Sequence, residues 1–251
     1  MSDRLGSLKQ GGLGLVGLTT IGAAMMSPVM GIYGNFGPIG GSVGIAVPLV
    51  FVAALIVSLP TAISYSVVCR EIPSAGSAFS WIRKTTTATI ATWVGLVMTA
   101  YYIICVVLQP MLFGLFWNDF LKLFGVANPG LSTWLVGVAL STLVAMMSTY
   151  KGVAISTRVS VAIIVIEVGV LLALSFTIVS AKLGAPGGLS FAPFMPSSVQ
   201  GGLAGFSSAM VVGIMVYTGY DVVSTVAEET ASPRALLPIA TMLSLILVAI
   251  I

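Results

Sequence analysis

Hydrophobic residues in this chain fall into long, uninterrupted runs, separated by short segments that contain Gly, Pro and the charged residues. A run of about 20 such residues crosses the ~30 Å hydrocarbon core of a bilayer as an α-helix. Six runs reach that length, at 13–33, 43–68, 92–117, 131–150, 159–181 and 203–226. They lack the alternating pattern of membrane β-strands. The pattern therefore predicts an all-α polytopic membrane protein.

The composition agrees with this pattern. Of the 251 residues 58% are hydrophobic and 7% are charged, against about 25% charged in a soluble domain. No linker or low-complexity segment divides the chain, so we expect a single membrane domain over 1–251. A seventh apolar run, 236–251, would form about 24 Å of helix, which is shorter than the hydrocarbon core. We therefore expect the chain to be a fragment that stops inside a membrane segment.

The basic residues predict the orientation, because cytoplasmic loops are enriched in Lys and Arg. With the N-terminus in the cytoplasm, the inner segments hold Arg4, Lys9, Arg70, Arg83, Lys84, Lys151, Arg158 and Arg234. The outer loops then hold only Lys122 and Lys182. We expect a multi-pass protein of the plasma membrane with a cytoplasmic N-terminus. Because the basic residues are scattered over separate loops, they do not form a nucleic-acid-binding patch.

Side chains that support enzyme chemistry are scarce. The chain has no His, and Cys69 and Cys105 are not spaced as a metal or redox motif. We expect no metal, no cofactor and no enzymatic activity.

Two of the predicted spans contain residues that interrupt a helix. In the first, Met26-Ser27-Pro28 places a proline in mid-span, which should open the helix near Ala24, before an outer turn at 37–41. In the sixth, Tyr217-Thr218-Gly219 precedes an acid. Freed backbone groups survive in a membrane only against protein or a water-filled cavity. Each break alone is compatible with a packing kink, whereas breaks at matching positions of two repeats mark a substrate site.

The six complete spans contain two acids, Glu167 and Asp221, at similar predicted depth. Placing a charged group at that depth in the membrane costs roughly 2.5–3.5 kcal/mol, so we expect each acid to have a structural or functional role. Both are candidate proton-coupling residues, and the alternative for Glu167 is a hydrogen bond made for packing. At α-helical spacing Asp221, Thr225 and Glu228 would share one polar face.

Four short motifs occur in an order that resembles the amino acid–polyamine–organocation superfamily of permeases. They are the broken first helix with its turn at 21–41, the segment Ile72–Phe79, the connection Tyr150-Lys151-Gly152-Val153, and YTGYDVVSTVAEETASPRALLPIA at 217–240. The resemblance implies two inverted repeats of five helices with helices one and six broken. This chain corresponds to the N-terminal part of that fold.

The resemblance also implies where a substrate binds. An amino-acid carboxylate would meet the opened first helix at Met26, Ser27 and Pro28, where the half-helix dipole is positive. Its ammonium group would meet carbonyls near Tyr217, Thr218 and Gly219, with Tyr217 closing over the side chain. The chain departs from the family in placing Pro28, which has no N–H, where a Gly-x-Gly element is usual.

The resemblance implies secondary transport of an amino acid, coupled to protons or run as exchange. In several proton-driven members a lysine occupies the position of Glu167. A polyamine or other organic cation is the alternative substrate, and a non-transporting truncated product is the alternative for this chain.

Overall fold

The computed structural model describes residues 12–150, 153–183 and 188–251. Seven of its helical segments have the length and apolarity of membrane spans. The chain is therefore an all-α polytopic membrane protein, as predicted. The Lys151-Gly152 part of the fourth–fifth connection, the start of the outer loop at 184–187, and the basic residues Arg4 and Lys9 lie outside the described residues.

The helices follow the apolar runs, with bounds shifted by a few residues. They are α1 (Leu15–Met26), α2 (Asn35–Val43), α3 (Val47–Glu71), α4 (Ser77–Thr85), α5 (Ala88–Leu123), α6 (Leu131–Tyr150), α7 (Val153–Leu183), α8 (Gly202–Val216) and α9 (Pro233–Ile250). A 3₁₀ helix, Tyr220–Glu229, lies between α8 and α9, and short 3₁₀ turns occupy the connection before α8.

The expected outer turn at 37–41 is wrong, because this segment is helical. After the first break the chain passes through a π-helical turn, Met30–Gly34, into α2, which includes Pro38. Pro38 lies in the first turn of α2, where its missing N–H costs little. The chain bends later, at Gly44, whose φ of 65° favours glycine. Helix α3 then starts at Val47.

One compact unit consists of the residues up to Ser77 together with those from Thr157 onward. Its buried apolar cluster draws on α1, α3, α7, α8, the 3₁₀ helix and α9. Within it α1 packs against α9 and the 3₁₀ helix, and α2 packs against α8. Gly22 allows α1 to approach α9 closely, since a Cβ at Gly22 would lie 2.7 Å from Ser244 Oγ.

The second unit comprises Ala78–Ser156 and is built on the α5–α6 hairpin. Gly137 lets the two helices approach, because its Cβ would lie 2.8 Å from Trp117 Cβ. The indole N–H of Trp134 donates to the Met111 carbonyl at 3.1 Å. Helix α5 runs past the predicted end at 117 to Leu123, and an Asp119–Lys122 ion pair of 2.7 Å lies in this extension.

Candidate functional site

The first helix break centres on Ser27. Helix α1 closes with a 3.0 Å hydrogen bond from the Ser27 N–H to the Ala23 carbonyl. Ser27 then adopts φ 43° and ψ 89°, a left-handed conformation that is uncommon outside glycine. Because Pro28 has no N–H, the Ala24 carbonyl lacks the donor that an unbroken helix would supply. The break predicted at Met26-Ser27-Pro28 is therefore present, and the turn itself falls on Ser27.

The second break follows α8. The N–H groups of Tyr217 and Thr218 turn back to the carbonyls of Ile214 and Met215, at 3.1 and 3.2 Å. Gly219 then has a φ of 131°, which L side chains rarely adopt. The chain resumes as the 3₁₀ segment Tyr220–Glu229, which is kinked at Val226, where φ and ψ are not helical. The break predicted at 217–219 is also present.

The two breaks touch each other. A Cβ on Gly219 would lie 3.0 Å from Met25 Cγ and 3.1 Å from both the Met25 carbonyl carbon and the Met26 nitrogen. The backbone of the second break therefore rests directly on the last turn of α1. Backbone groups without helical partners must face protein or water inside a membrane. The contact brings the interrupted backbone of both breaks to one place.

A cavity of about 300 Å³ adjoins the breaks. Pro28, Val216 and Tyr217 line it from the two broken spans, and Phe51 and Leu55 line it from α3. The described lining residues are apolar apart from the Tyr217 hydroxyl, and none of them is charged. Such a lining accommodates the hydrocarbon part of a small ligand, while the adjacent backbone supplies polar contacts.

The six residues predicted around the substrate have different surroundings. Pro28 and Tyr217 line the cavity. Ser27 and Gly219 form the turns of the two breaks. Met26 is buried in the apolar cluster. Thr218 is exposed, and its hydroxyl donates to the Met215 carbonyl at 2.7 Å, so this hydroxyl is used within its own turn.

Glu167 on α7 lies at the first break. The Ser27 hydroxyl donates to Glu167 Oε1 at 3.4 Å, and the Val29 N–H also interacts with this carboxyl group. Glu167 Oε2 is buried and has no hydrogen-bond partner among the described residues. Ile164 and Leu171, about one turn away on either side, are also buried. This face of α7, which includes Glu167, therefore packs against protein.

Asp221 has other neighbours. Asp221 lies in the neighbourhood of Tyr65 and Tyr220, whose rings pack edge to face at 5.9 Å. The predicted polar face through Thr225 and Glu228 is wrong, because the segment is 3₁₀. With three residues per turn, Thr225 is rotated by about 120° from Asp221, and the kink at Val226 separates both residues from Glu228.

Two features around this site do not follow from the sequence pattern. The first is Tyr65, a polar side chain in the middle of the apolar run of α3. The second feature is a buried pair of hydroxyl groups, Ser77 and Ser224, whose oxygens lie 2.7 Å apart. Ser77 follows the Pro73–Gly76 turn and has a φ of 47°. Only the three-dimensional fold brings Ser77 to Ser224.

Two broken membrane helices in mutual contact, beside an apolar cavity, also occur in transporters that are built from inverted repeats. The sequence matches the family described as amino acid permease over residues 13–251, and the chain belongs to that family. It is thus a multi-pass membrane protein of the permease class.

Among curated proteins, the chain is similar to the low-affinity putrescine importer PlaP of Escherichia coli strain K12. The two are 31% identical over 138 residues, which is 55% of this chain and 28% of the relative. PlaP of Escherichia coli O157:H7 matches with the same identity and coverage. The matched part thus spans little more than a quarter of either relative's length. No solved structure matches the chain.

Proposed function

We propose that this protein is a secondary active transporter of the plasma membrane, and that it moves a small organic amine by alternating access. The contact between the two helix breaks carries the proposal, because it brings the interrupted backbone of both spans together beside a cavity. An ammonium group would bind carbonyl oxygens near Tyr217, Thr218 and Gly219. The apolar cavity would hold the carbon chain of the substrate.

Two substrate classes share this ammonium group. An amino acid agrees with the family description, and the uncharged cavity favours an apolar side chain. A polyamine agrees with the relatives, which are named as importers of putrescine. For that class Glu167 and Asp221 would be counter-charges to the substrate.

Uptake into proteoliposomes tests the proposal. We expect a panel of labelled amino acids and polyamines to contain at least one substrate that accumulates above protein-free vesicles. Tyr217→Ala should lower uptake at least about tenfold, because the buried ring lines the cavity between the breaks. Tyr150→Ala is the matched control, since Tyr150 is 94% exposed. Equal uptake by both variants would place the substrate elsewhere.

The coupling and the orientation belong to the same proposal. Glu167, at the first break, is our leading proton-coupling residue, and Asp221, beside the two tyrosine hydroxyls, is the second. The N-terminus would face the cytoplasm, as the distribution of Lys and Arg indicates.

A further inference from the structure

We infer that Glu167 determines substrate specificity, and that the substrate is an amine that carries no carboxylate. The inference rests on the proposed function. It is carried by the contacts that the Glu167 carboxyl group makes with the first turn after the first break.

The start of the half-helix at Pro28 is the place where a substrate carboxylate would bind, because unpaired N–H groups and the positive end of the helix dipole favour an anion there. In this chain three of the four positions from Pro28 to Gly31 offer no free donor. Pro28 has no N–H. The Val29 N–H interacts with Glu167, and the Gly31 N–H bonds to the Ser27 carbonyl at 2.8 Å.

The side-chain donor at this position is engaged as well. The Ser27 hydroxyl, which would be the next partner for a substrate carboxylate, donates to Glu167 Oε1. The Glu167 carboxyl group therefore occupies the anion position itself. When it is ionised, it also repels a second carboxylate, because like charges in contact are unfavourable.

The cavity offers no second place for a carboxylate. Its described lining contains no Lys or Arg and a single polar side-chain group, the Tyr217 hydroxyl. Outside this lining, at the first break, an ammonium group has a partner, because Glu167 Oε2 is buried and lacks a hydrogen-bond partner among the described residues. The local chemistry thus rejects the carboxylate of an amino acid and retains its amine.

Matched ligand pairs test the inference, since the members of each pair differ only in the carboxylate. Suitable pairs are ornithine and putrescine, lysine and cadaverine, leucine and 3-methylbutylamine, and phenylalanine and phenethylamine. Equilibrium binding is measured on the detergent-solubilised protein. For whichever pair binds, the amine should bind at least about tenfold more tightly than the amino acid.

Variants of Glu167 then assign the preference to this side chain. Glu167→Ala opens the anion position and should reduce the preference for the amine at least about tenfold. Glu167→Gln keeps an acceptor of the same size opposite Val29 and should keep most of the preference. Ser180→Ala is the matched control, because Ser180 lies on the same helix and its exposed hydroxyl bonds within it.

The possible outcomes separate the two proposals. If the wild-type protein binds the amino acid of a pair more tightly, the inference about Glu167 is overturned and the proposed transport stands. An amine preference that is unchanged in Glu167→Ala also overturns it. If no member of any pair is bound or taken up, the proposed function fails and the inference fails with it.

Discussion

Glu167 contacts Ser27, the residue at which the first span turns. The protonation state of Glu167 therefore determines which groups of the break it can bond. An ionised Glu167 accepts from the Ser27 hydroxyl and from Val29, whereas a neutral acid can donate to a freed carbonyl such as that of Ala24. We expect Glu167→Gln, which cannot exchange a proton, to abolish accumulation driven by a pH gradient. Exchange of labelled for unlabelled substrate should persist. Both are measured in proteoliposomes.

The control for this prediction is Glu71→Gln, since Glu71 is an exposed acid at the end of α3. It should accumulate substrate like the wild-type protein. Accumulation that persists in Glu167→Gln would mean that the proton is carried by another group, with Asp221 the next candidate.

The buried Ser77–Ser224 pair allows a prediction about stability. Ser224→Ala leaves the Ser77 hydroxyl buried without this partner, and we expect a loss of about 1–3 kcal/mol in the free energy of unfolding. The measurement is denaturant unfolding in detergent micelles. In Ser77→Ala/Ser224→Ala the loss should be smaller than the sum of the single losses, because neither hydroxyl is left unpaired.

An exposed serine is the control for the pair. Ser64 on α3 bonds only within its own helix, to the Pro60 carbonyl at 2.8 Å. Ser64→Ala should change the free energy of unfolding by no more than about 0.5 kcal/mol. Strictly additive losses in the serine pair would show that its two hydroxyl groups do not act on each other.

At the level of elements, the second break depends on Gly219. An alanine there would combine an unfavourable φ of 131° with a Cβ only 3.1 Å from the Met25 and Met26 backbone. One of the two breaks must then shift. We expect Gly219→Ala to lower uptake at least about tenfold, since displacements of about 1 Å cost that much or more at a binding site.

Gly37→Ala is the matched control for the second break. Gly37 lies in α2, and a Cβ there would meet no atom within 4 Å. This variant should transport normally, because alanine is favourable in an exposed helix. Normal uptake in Gly219→Ala would contradict the importance of the contact between the breaks.

The helices could be predicted from the sequence because length and apolarity alone determine a span, and both breaks could be predicted from Pro28 and Gly219. The helical conformation of residues 37–41 could not be predicted, since Gly and Pro are typical of turns but are also tolerated in the first turn of a helix. The 3₁₀ geometry after Gly219 was missed because its residues have no distinct signature. The Ser27–Glu167 contact joins residues 140 positions apart, which only tertiary packing can reveal.

At the scale of the whole molecule, the two broken spans contact each other in a symmetrical way. Helix α1 packs on the 3₁₀ helix that follows the second break, while α2, after the first break, packs on α8. Each half of one broken span is therefore paired with a half of the other. A movement of one pair relative to the other would change access to the cavity without breaking either contact, which is the requirement of alternating access.

The orientation of the chain is a prediction at this same scale. Basic residues would face the cytoplasm, so the connection before α8 would be outside and the segment between α4 and α5 inside. Single cysteines test this after Cys69 and Cys105 are replaced by alanine. Ser190→Cys should react with a membrane-impermeant maleimide in intact cells, because Ser190 is exposed in the connection before α8. Thr86→Cys, equally exposed after α4, should react only in permeabilised cells. The reverse labelling pattern would invert the topology, and uptake and release would exchange sides with it.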